Sequence, residues 1–228
     1  MLKLKQMDFS RDQISSEDGQ GVDTVELEKY NQENVKKAQA STPIGPKAIE
    51  ARDHVSGSLE APVTVLVYGD FVSSFSADFN DELNKAQQEF GDKIAVAFRH
   101  FALASDASAL APALAAECAA EQGEFWSMSQ KLFADNRNNE LHYERFKIDA
   151  QEIGLDLTKF EDCYKNNRYA EKIASQIAEG KTAGVVGTPT FFVNGKVYPG
   201  AYPYEDFVSS DGTEQKGLKS IIEENLNQ

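Results

Sequence analysis

Cysteine is scarce in this chain, which has only two among its 228 residues, Cys118 and Cys163. They stand far apart in sequence, so the chain has no Cys-x-x-Cys motif of the kind that dithiol redox sites use. Two cysteines with no histidine at ligand spacing also argue against a cysteine-rich zinc site. A chain of this length can bury a core without disulfides, so cross-links are not required for folding.

Positive charge and long apolar runs are also lacking. There are 23 Lys and Arg against 37 Asp and Glu, a net charge of −14, which argues against a nucleic-acid or anionic-membrane partner. The richest apolar run, Ala109–Ala120, is interrupted by Pro112 and Glu117. It is shorter than the ~20 residues that a membrane-spanning helix needs, so no membrane insertion is predicted.

The first ten residues contain no continuous apolar stretch of the type found in export signals. We therefore expect a cytoplasmic location for the sequence as written, and an extracytoplasmic one if an export segment has been removed. Histidine is rare as well, and His54, His100 and His142 are dispersed. No two lie at i, i+4 spacing, so we predict no metal site, and His100 is expected to be structural.

Residues 1–52 are predicted to be an N-terminal helical arm and linker. The stretch from about Asp23 to Ala40 is weakly amphipathic. Proline and glycine between Ser41 and Pro46 then break any helix.

From residue 61 onward the pattern is that of an α/β domain. Val63 to Tyr68 is a continuous, largely β-branched apolar run, typical of a strand buried on both faces. A helix is predicted to start at Ser73–Ser76 and run through Phe90, with Gly91 capping its end. A second strand is expected over Lys93 to His100, parallel to the first.

The remaining sequence predicts a helical region, a hairpin and a last helix. The pattern is helical between Ala107 and about Ala183, with breaks expected at Gly123, Asn136–Asn139, Gly154 and Gly180. Thr190 to Val193 and Lys196 to Tyr198 flank Asn194-Gly195, a strong hairpin signal because both residues tolerate positive φ. A helix is predicted from about Gln215 to Leu226.

The loop between the first strand and the first helix is where chemistry is expected. A helix N-terminus offers free N–H groups and partial positive charge, which would stabilise a cysteine thiolate. The residues here are Ser73, Ser74, Phe75 and Ser76, and an alcohol is too weak an acid to ionise there. The simpler interpretation is that Ser73 or Ser76 caps the helix, worth about 1 kcal/mol. Asp70, just before the loop, is expected to be a solvated carboxylate.

Gly187-Thr188-Pro189-Thr190 runs directly into a predicted strand. A proline inside a central strand would remove a ladder hydrogen bond, so a cis Thr188–Pro189 peptide bond is predicted. The alternative is an ordinary trans proline at a strand start.

Four segments resemble the DsbA-like branch of the thioredoxin superfamily, thiol–disulfide oxidoreductases with a helical domain inserted in a thioredoxin fold. They are DHVSGSLEAPVTVLVYGDF at 53–71, FRHFAL at 98–103, GEFWSMSQKLF at 123–133 and GVVGTPTFFVNGKVYPGAY at 184–202. The resemblance implies a βαβ…ββα mixed sheet. It divides the chain into a thioredoxin-fold first half at 53–106, an inserted helical subdomain at 107–183 and a second half at 184–228.

The resemblance fails at the reactive position, because the family's Cys-Pro-Tyr-Cys motif aligns with Ser73-Ser74-Phe75-Ser76. It therefore implies that Ser73 holds the position of the nucleophilic sulfur and Ser76 that of the resolving sulfur. Phe75, Thr188 and Pro189 would line a site for a protein or peptide thiol, or a small thiol. No cofactor is implied, and the chain as written should not exchange disulfides.

Three explanations for the serines are open. Serine is the closest isostere of cysteine, so one explanation is the replacement of both cysteines in an active oxidoreductase. Natural loss would leave a redox-inactive binding module. Thirdly, the stretch from Asp70 to Ser76 is similar to that of kappa-class glutathione transferases and hydroxychromene-carboxylate isomerases, which use serine to hold glutathione.

The resemblance also bears on Cys118 and Cys163, because some family members have a second, structural disulfide in this region. The two residues could form such a pair. For a cytoplasmic protein we expect reduced core thiols instead, since free cysteines pack as small hydrophobes. Phe125, Trp126 and Phe133 are expected to pack in the core of the insertion.

Overall fold

The computed structural model describes residues 45–50, 52–102, 107–209 and 211–227. The predicted N-terminal arm lies outside these ranges, apart from its last residues. A five-stranded mixed sheet forms the centre, with strand order β1-β3-β2-β4-β5. Its strands are β1 (His54–Ser56), β2 (Val63–Gly69), β3 (Ile94–His100), β4 (Thr190–Val193) and β5 (Lys196–Pro199).

The central strand is β2, as its continuous apolar run indicates. It pairs in parallel with β3, Val65 opposite Val96, and antiparallel with β4, Val65 opposite Val193. Side chains on both faces of the strand are buried, since Val65 and Leu66 are 0% and 3% exposed. The sheet therefore separates two apolar layers.

Helix α1 (Ser74–Phe90) connects the two parallel strands. Phe79, Leu83 and Phe90 recur at helical spacing and are buried against the sheet. Gly91, at φ 52°, ends the helix and donates its N–H to Gln87 O. Glycine adopts positive φ without the steric cost of a Cβ, which explains the sharp stop.

The inserted region contains five helices among the described residues. They are α2 (Ala107–Ala120), α3 (Phe125–Asn138), α4 (Tyr143–Glu152), α5 (Leu157–Lys165) and α6 (Ala170–Thr182). Gly123 and Gly154 lie at the predicted breaks with positive φ. The break predicted at Gly180 is wrong, because this residue lies inside α6.

Strands β4 and β5 form the predicted hairpin, with Asn194 and Gly195 both at positive φ. Beyond it, a short ribbon of β6 (Phe207–Val208) and β7 (Glu214–Gln215) was not predicted. The last helix, α7, spans Leu218–Leu226 and so begins three residues later than expected, because Gln215 belongs to β7.

Different helices cover the two faces of the sheet. On one face, Val67 and Phe98 pack with α1, α7 and the apolar sides of α3 and α5. On the other face, Leu66, Tyr68 and Phe192 pack with Ile177 of α6. Phe125 and Phe133 are buried as expected, and Trp126 is partly buried against the same core. Within the described ranges, every helix is too short or too polar to traverse a bilayer.

Candidate functional site at the start of helix α1

Ser73 is the N-cap of α1. Its backbone is extended, and its Oγ accepts a hydrogen bond from Ser76 N at 3.2 Å. Its carbonyl accepts the bond from Ala77 N that opens the helix. The capping interpretation of this serine is therefore correct, and it leaves the hydroxyl hydrogen available for a second contact.

That second contact is with the loop before β4. The Ser73 hydroxyl donates to Thr188 O at 3.3 Å, across 115 residues of sequence. The Thr188–Pro189 peptide bond is cis. The next residue, Thr190, fixes the loop by donating its hydroxyl to Gly187 O at 2.8 Å. The structure thus brings together the two segments that the sequence singled out separately.

Ser73 and Ser76 differ in accessibility. Ser73 is partly exposed, whereas Ser76 is 4% exposed and lies behind it in the first turn. The Ser76 Oγ accepts a hydrogen bond from Asp70 N at 3.3 Å. An exposed outer position with a buried inner one is the arrangement that an attacking and a resolving sulfur require.

Asp70 is not solvated as expected. Its side chain is 3% exposed, and Oδ1 accepts a hydrogen bond from Val72 N at 3.1 Å. The carboxyl folds back over the loop because short acidic side chains readily bond a backbone N–H two residues onward. Phe75 is partly buried and packs against the main core, so only part of its ring faces solvent.

Two residues that sequence reasoning missed hold this loop from the inserted subdomain. Asn136 of α3 donates to Phe71 O at 2.8 Å, and Arg137 donates to Ala77 O at 2.8 Å. Asn136 had been interpreted only as a helix-break signal. A pairwise contact between distant segments leaves no periodic trace, so the single sequence held no signal for this role.

The chemistry available here is hydrogen bonding. Ser76 Oγ is buried and the Ser73 hydroxyl hydrogen is donated to Thr188 O, so the groups left for a ligand are the remaining lone pair of Ser73 Oγ, the free N–H groups of the helix start and the Thr188 carbonyl. These could hold a thiol, a carboxylate or an extended peptide. Neither serine oxygen can form the disulfide that exchange requires. Charge-stabilised thiolate chemistry would need sulfur at these positions.

Cys118 and Cys163 are joined in a disulfide that links α2 to α5, with a Cα–Cα distance of 5.7 Å. Both residues are fully buried. The preference for reduced core thiols is therefore wrong, and the pairing that the resemblance allowed is the one observed.

The histidines are less dispersed in space than in sequence. His54 and His100 both place Nε2 about 3 Å from one oxygen of Glu117. His142 is separate, and caps α4 by accepting a bond from Arg145 N. Their dispersal along the chain therefore does not extend to space, and spacing in the sequence could not have revealed that His54 and His100 meet at Glu117.

Comparison with known proteins places this geometry in a family. A family model described as Thioredoxin matches residues 50–210. Oxidised BdbD from Bacillus subtilis superposes with a TM-score of 0.68 at 21% identity, covering 82% of this chain and all of that one. The catalytic domain of Proteus mirabilis ScsC gives a TM-score of 0.62 at 16% identity, covering 87% of this chain and 99% of that one.

Curated relatives are much longer than the chain. The Na(+)/H(+) antiporter NhaA 1 of Salinispora arenicola is 37% identical over 155 residues, which are 68% of this chain and 23% of that protein. NhaA of Herminiimonas arsenicoxydans is 31% identical over 66% of this chain and 24% of its own length. The chain spans about a quarter of these relatives. It belongs to the thioredoxin family, and its fold is that of the DsbA-like thiol–disulfide oxidoreductases.

Proposed function

We propose that this chain is a DsbA-like oxidoreductase scaffold that binds thiol or peptide ligands but does not exchange disulfides. The observation that carries the proposal is the hydrogen bond from the Ser73 hydroxyl to Thr188 O at 3.3 Å. It places the outer serine, at a helix N-terminus, directly against the loop that would lie beside a bound substrate.

The different exposure of Ser73 and Ser76 also supports an oxidoreductase scaffold. The outer hydroxyl is accessible and the inner one is buried three residues later on α1. A cysteine differs from serine by one atom, so sulfur at both positions should fit with little rearrangement. The loop would then hold a dithiol at the spacing that exchange requires.

The test restores both sulfurs as Ser73→Cys and Ser76→Cys. The double variant should form a second reducible disulfide, between positions 73 and 76, and should reduce insulin or oxidise a dithiol peptide, whereas the chain as written should have only the Cys118–Cys163 disulfide and neither activity. A matched control is Ser73→Cys with Ser74→Cys, which places two thiols in the same loop at adjacent positions. Absence of both activities in the Ser73→Cys, Ser76→Cys variant, with the fold retained, would contradict the proposal.

Binding without exchange needs its own measurement. An unlabelled peptide containing one serine in place of cysteine should shift the amide resonances of Thr188, Thr190 and the first turn of α1. Shifts confined to other surfaces would remove the binding site from the proposal. The partner that we propose is a protein or peptide thiol, or a small thiol, and no cofactor is proposed.

Isosteric replacement of two cysteines is the origin that we propose for Ser73 and Ser76. The intact surroundings support it, since the loop, its cap and the buried inner position are all retained. The coding sequence of the source gene distinguishes replacement from natural loss: cysteine codons at 73 and 76 would establish replacement.

Use of Ser73 to bind glutathione is less well supported. Its hydroxyl already donates to Thr188 O and accepts from Ser76 N, so it is not free to donate to a ligand thiolate. Saturable glutathione binding that is lost in Ser73→Ala would nevertheless favour the transferase function over the one proposed.

An extracytoplasmic location fits the disulfide between Cys118 and Cys163 better than the cytoplasmic one expected from the N-terminal sequence. Cytoplasmic reductants keep most thiols reduced, whereas exported proteins retain disulfides. One of the solved structures with this fold is a periplasmic thioredoxin-like protein from Salmonella enterica, at 20% identity and a TM-score of 0.58 over 80% of this chain and all of that one.

A further inference from the structure

Two histidines and a glutamate from three separate elements meet inside the molecule, apart from residues 73–76, the serine loop. His54 comes from β1, His100 from the end of β3 and Glu117 from α2. His100 and Glu117 are each 1% exposed, and the His54 side chain is 11% exposed. Their ligand atoms all lie within 4.8 Å of one another.

The distances suit coordination of one ion. The Glu117 Oε1 atom lies 2.9 Å from His54 Nε2 and 3.0 Å from His100 Nε2. Two ligands of one tetrahedral zinc ion, with bonds of about 2.0–2.2 Å, are about 3.3 Å apart. The two Glu117–histidine distances are therefore within about 0.4 Å of that spacing, and no separation among the three donors exceeds 4.8 Å.

Lys172 of α6 already places a cation among these acceptors. Its Nζ lies 2.8 Å from Glu117 Oε2 and 3.1 Å from His54 Nε2. His54 Nε2 thus faces both a carboxylate, which requires an N–H, and an ammonium, which requires a lone pair. A neutral imidazole cannot satisfy both with one nitrogen. A divalent cation would remove the conflict, because it accepts lone pairs from both imidazoles and from the carboxylate.

The imidazole rings are held in place by aromatic neighbours. His54 stacks on Phe125 with ring centroids 3.5 Å apart, and His100 packs edge-on against Phe98 at 5.4 Å. Side chains that are already oriented lose little conformational entropy when they bind a metal ion. Lys172 is the member of this group most exposed to solvent, with 26% of its side chain accessible against 11% for His54, so its route to solvent is open.

From these contacts, we propose that His54, His100 and Glu117 bind a divalent transition metal, with Zn²⁺ as the ion that suits them best, and that Lys172 leaves the site when the ion enters. Imidazole and carboxylate donors suit zinc, and a water molecule would complete four-fold coordination. Lys172 then competes with the metal ion for Glu117 and His54.

The test titrates Zn²⁺ into the tag-free full chain without reductant, so that Cys118 and Cys163 stay paired. Calorimetry should show one site per chain, and zinc should raise the melting temperature. His54→Gln should weaken binding at least about 100-fold, because loss of a ligand costs no less than loss of an outer-sphere partner. Lys172→Met should bind at least tenfold more tightly than the unmodified chain.

Lys172→Met separates a metal site from a purely structural ion-pair network. If the cluster only stabilises the fold, Lys172→Met lowers the melting temperature and zinc restores nothing. His142→Gln is the matched control, because it removes an exposed histidine outside the cluster and should leave the affinity unchanged. Zinc binding that is absent from the unmodified chain, is lost equally in His142→Gln, or is not tightened in Lys172→Met would overturn the proposal.

Discussion

Gly180 shows how a single buried residue can reverse the usual rule for glycine in a helix. An alanine in an exposed helix interior is normally more stable than glycine by about 0.5–1 kcal/mol. At Gly180, however, an added Cβ would lie 2.7 Å from a ring carbon of Phe101 and 3.0 Å from one of Tyr68. Glycine is needed here because α6 packs closely on the sheet.

Gly180→Ala should therefore destabilise the protein by about 1–3 kcal/mol, the usual cost of overpacking a core. Urea denaturation measures the change in the free energy of unfolding. Ser175→Ala, on an exposed position of the same helix, is the control and should change it by no more than about 0.5 kcal/mol. A stabilised Gly180→Ala variant would show that the two aromatic rings move aside at little cost.

Residue identity singled out the segments that meet at the candidate site but not the residues that support them. Ser73 and Ser76 were recognisable because a strand, a turn and a helix start follow one another in sequence, and Thr188–Pro189 because the proline runs directly into a strand. Asn136 was not recognisable, because its role depends on a contact with Phe71 O, 65 residues away. The cluster around Glu117 was missed for the same reason, since its members come from separate elements.

Helices α3 and α4 are joined by a buried pair of carboxyl groups. Asp135 is 2% exposed and Asp149 is fully buried, and Arg145 lies 3.0 Å from the first and 2.8 Å from the second. Burial and the neighbouring Asp135 carboxyl raise the pKa of Asp149 to about 7, although Arg145 opposes the shift. Lys131 of α3 also opposes it.

This arrangement predicts a pH-dependent stability. Between about pH 4 and 7 the folded state keeps a proton on Asp149 that the unfolded chain has released, so stability falls as pH rises through this interval. Asp149→Asn should abolish this component, which we expect to be about 1–3 kcal/mol between pH 5 and 8. Urea denaturation at both pH values measures it.

The control for the pH experiment is Asp92→Asn, which changes an exposed carboxylate outside the pair. It should retain the slope of the unmodified chain. An Asp149→Asn variant that loses as much stability between pH 5 and pH 8 as the unmodified chain does would assign the dependence to other groups.

Among the helices and strands, those predicted correctly have a strong local pattern of apolar residues that matches the residues buried in the fold. The apolar run of β2 and the spacing of Phe79, Leu83 and Phe90 in α1 are such patterns. Strand β1 was missed because its three residues, His54–Ser56, are only partly buried and do not form a run of apolar residues. The ribbon of β6 and β7 has two residues per strand and is defined by pairing alone.

For the molecule as a whole, the Cys118–Cys163 disulfide cross-links the inserted subdomain across 45 residues of sequence. Closing a loop of that length restricts the unfolded chain by about 4 kcal/mol in the chain-entropy description, and measured effects are commonly 2–4 kcal/mol. The bond ties α5 to α2, whose Glu117 contacts His100 at the end of β3. The disulfide should therefore stabilise the inserted subdomain together with the thioredoxin fold.

Replacing both cysteines, as Cys118→Ala with Cys163→Ala, should lower the free energy of unfolding by about 2–4 kcal/mol. Reduction of the unmodified chain with a phosphine should produce a comparable loss, because it removes the same cross-link while leaving both side chains in place. The serine loop is held by α1, β4 and α3, so the amide resonances of Ser73 and Thr188 should stay where they are in both cases. Loss of stability on replacement but not on reduction would trace the effect to the missing side-chain volume rather than to the cross-link.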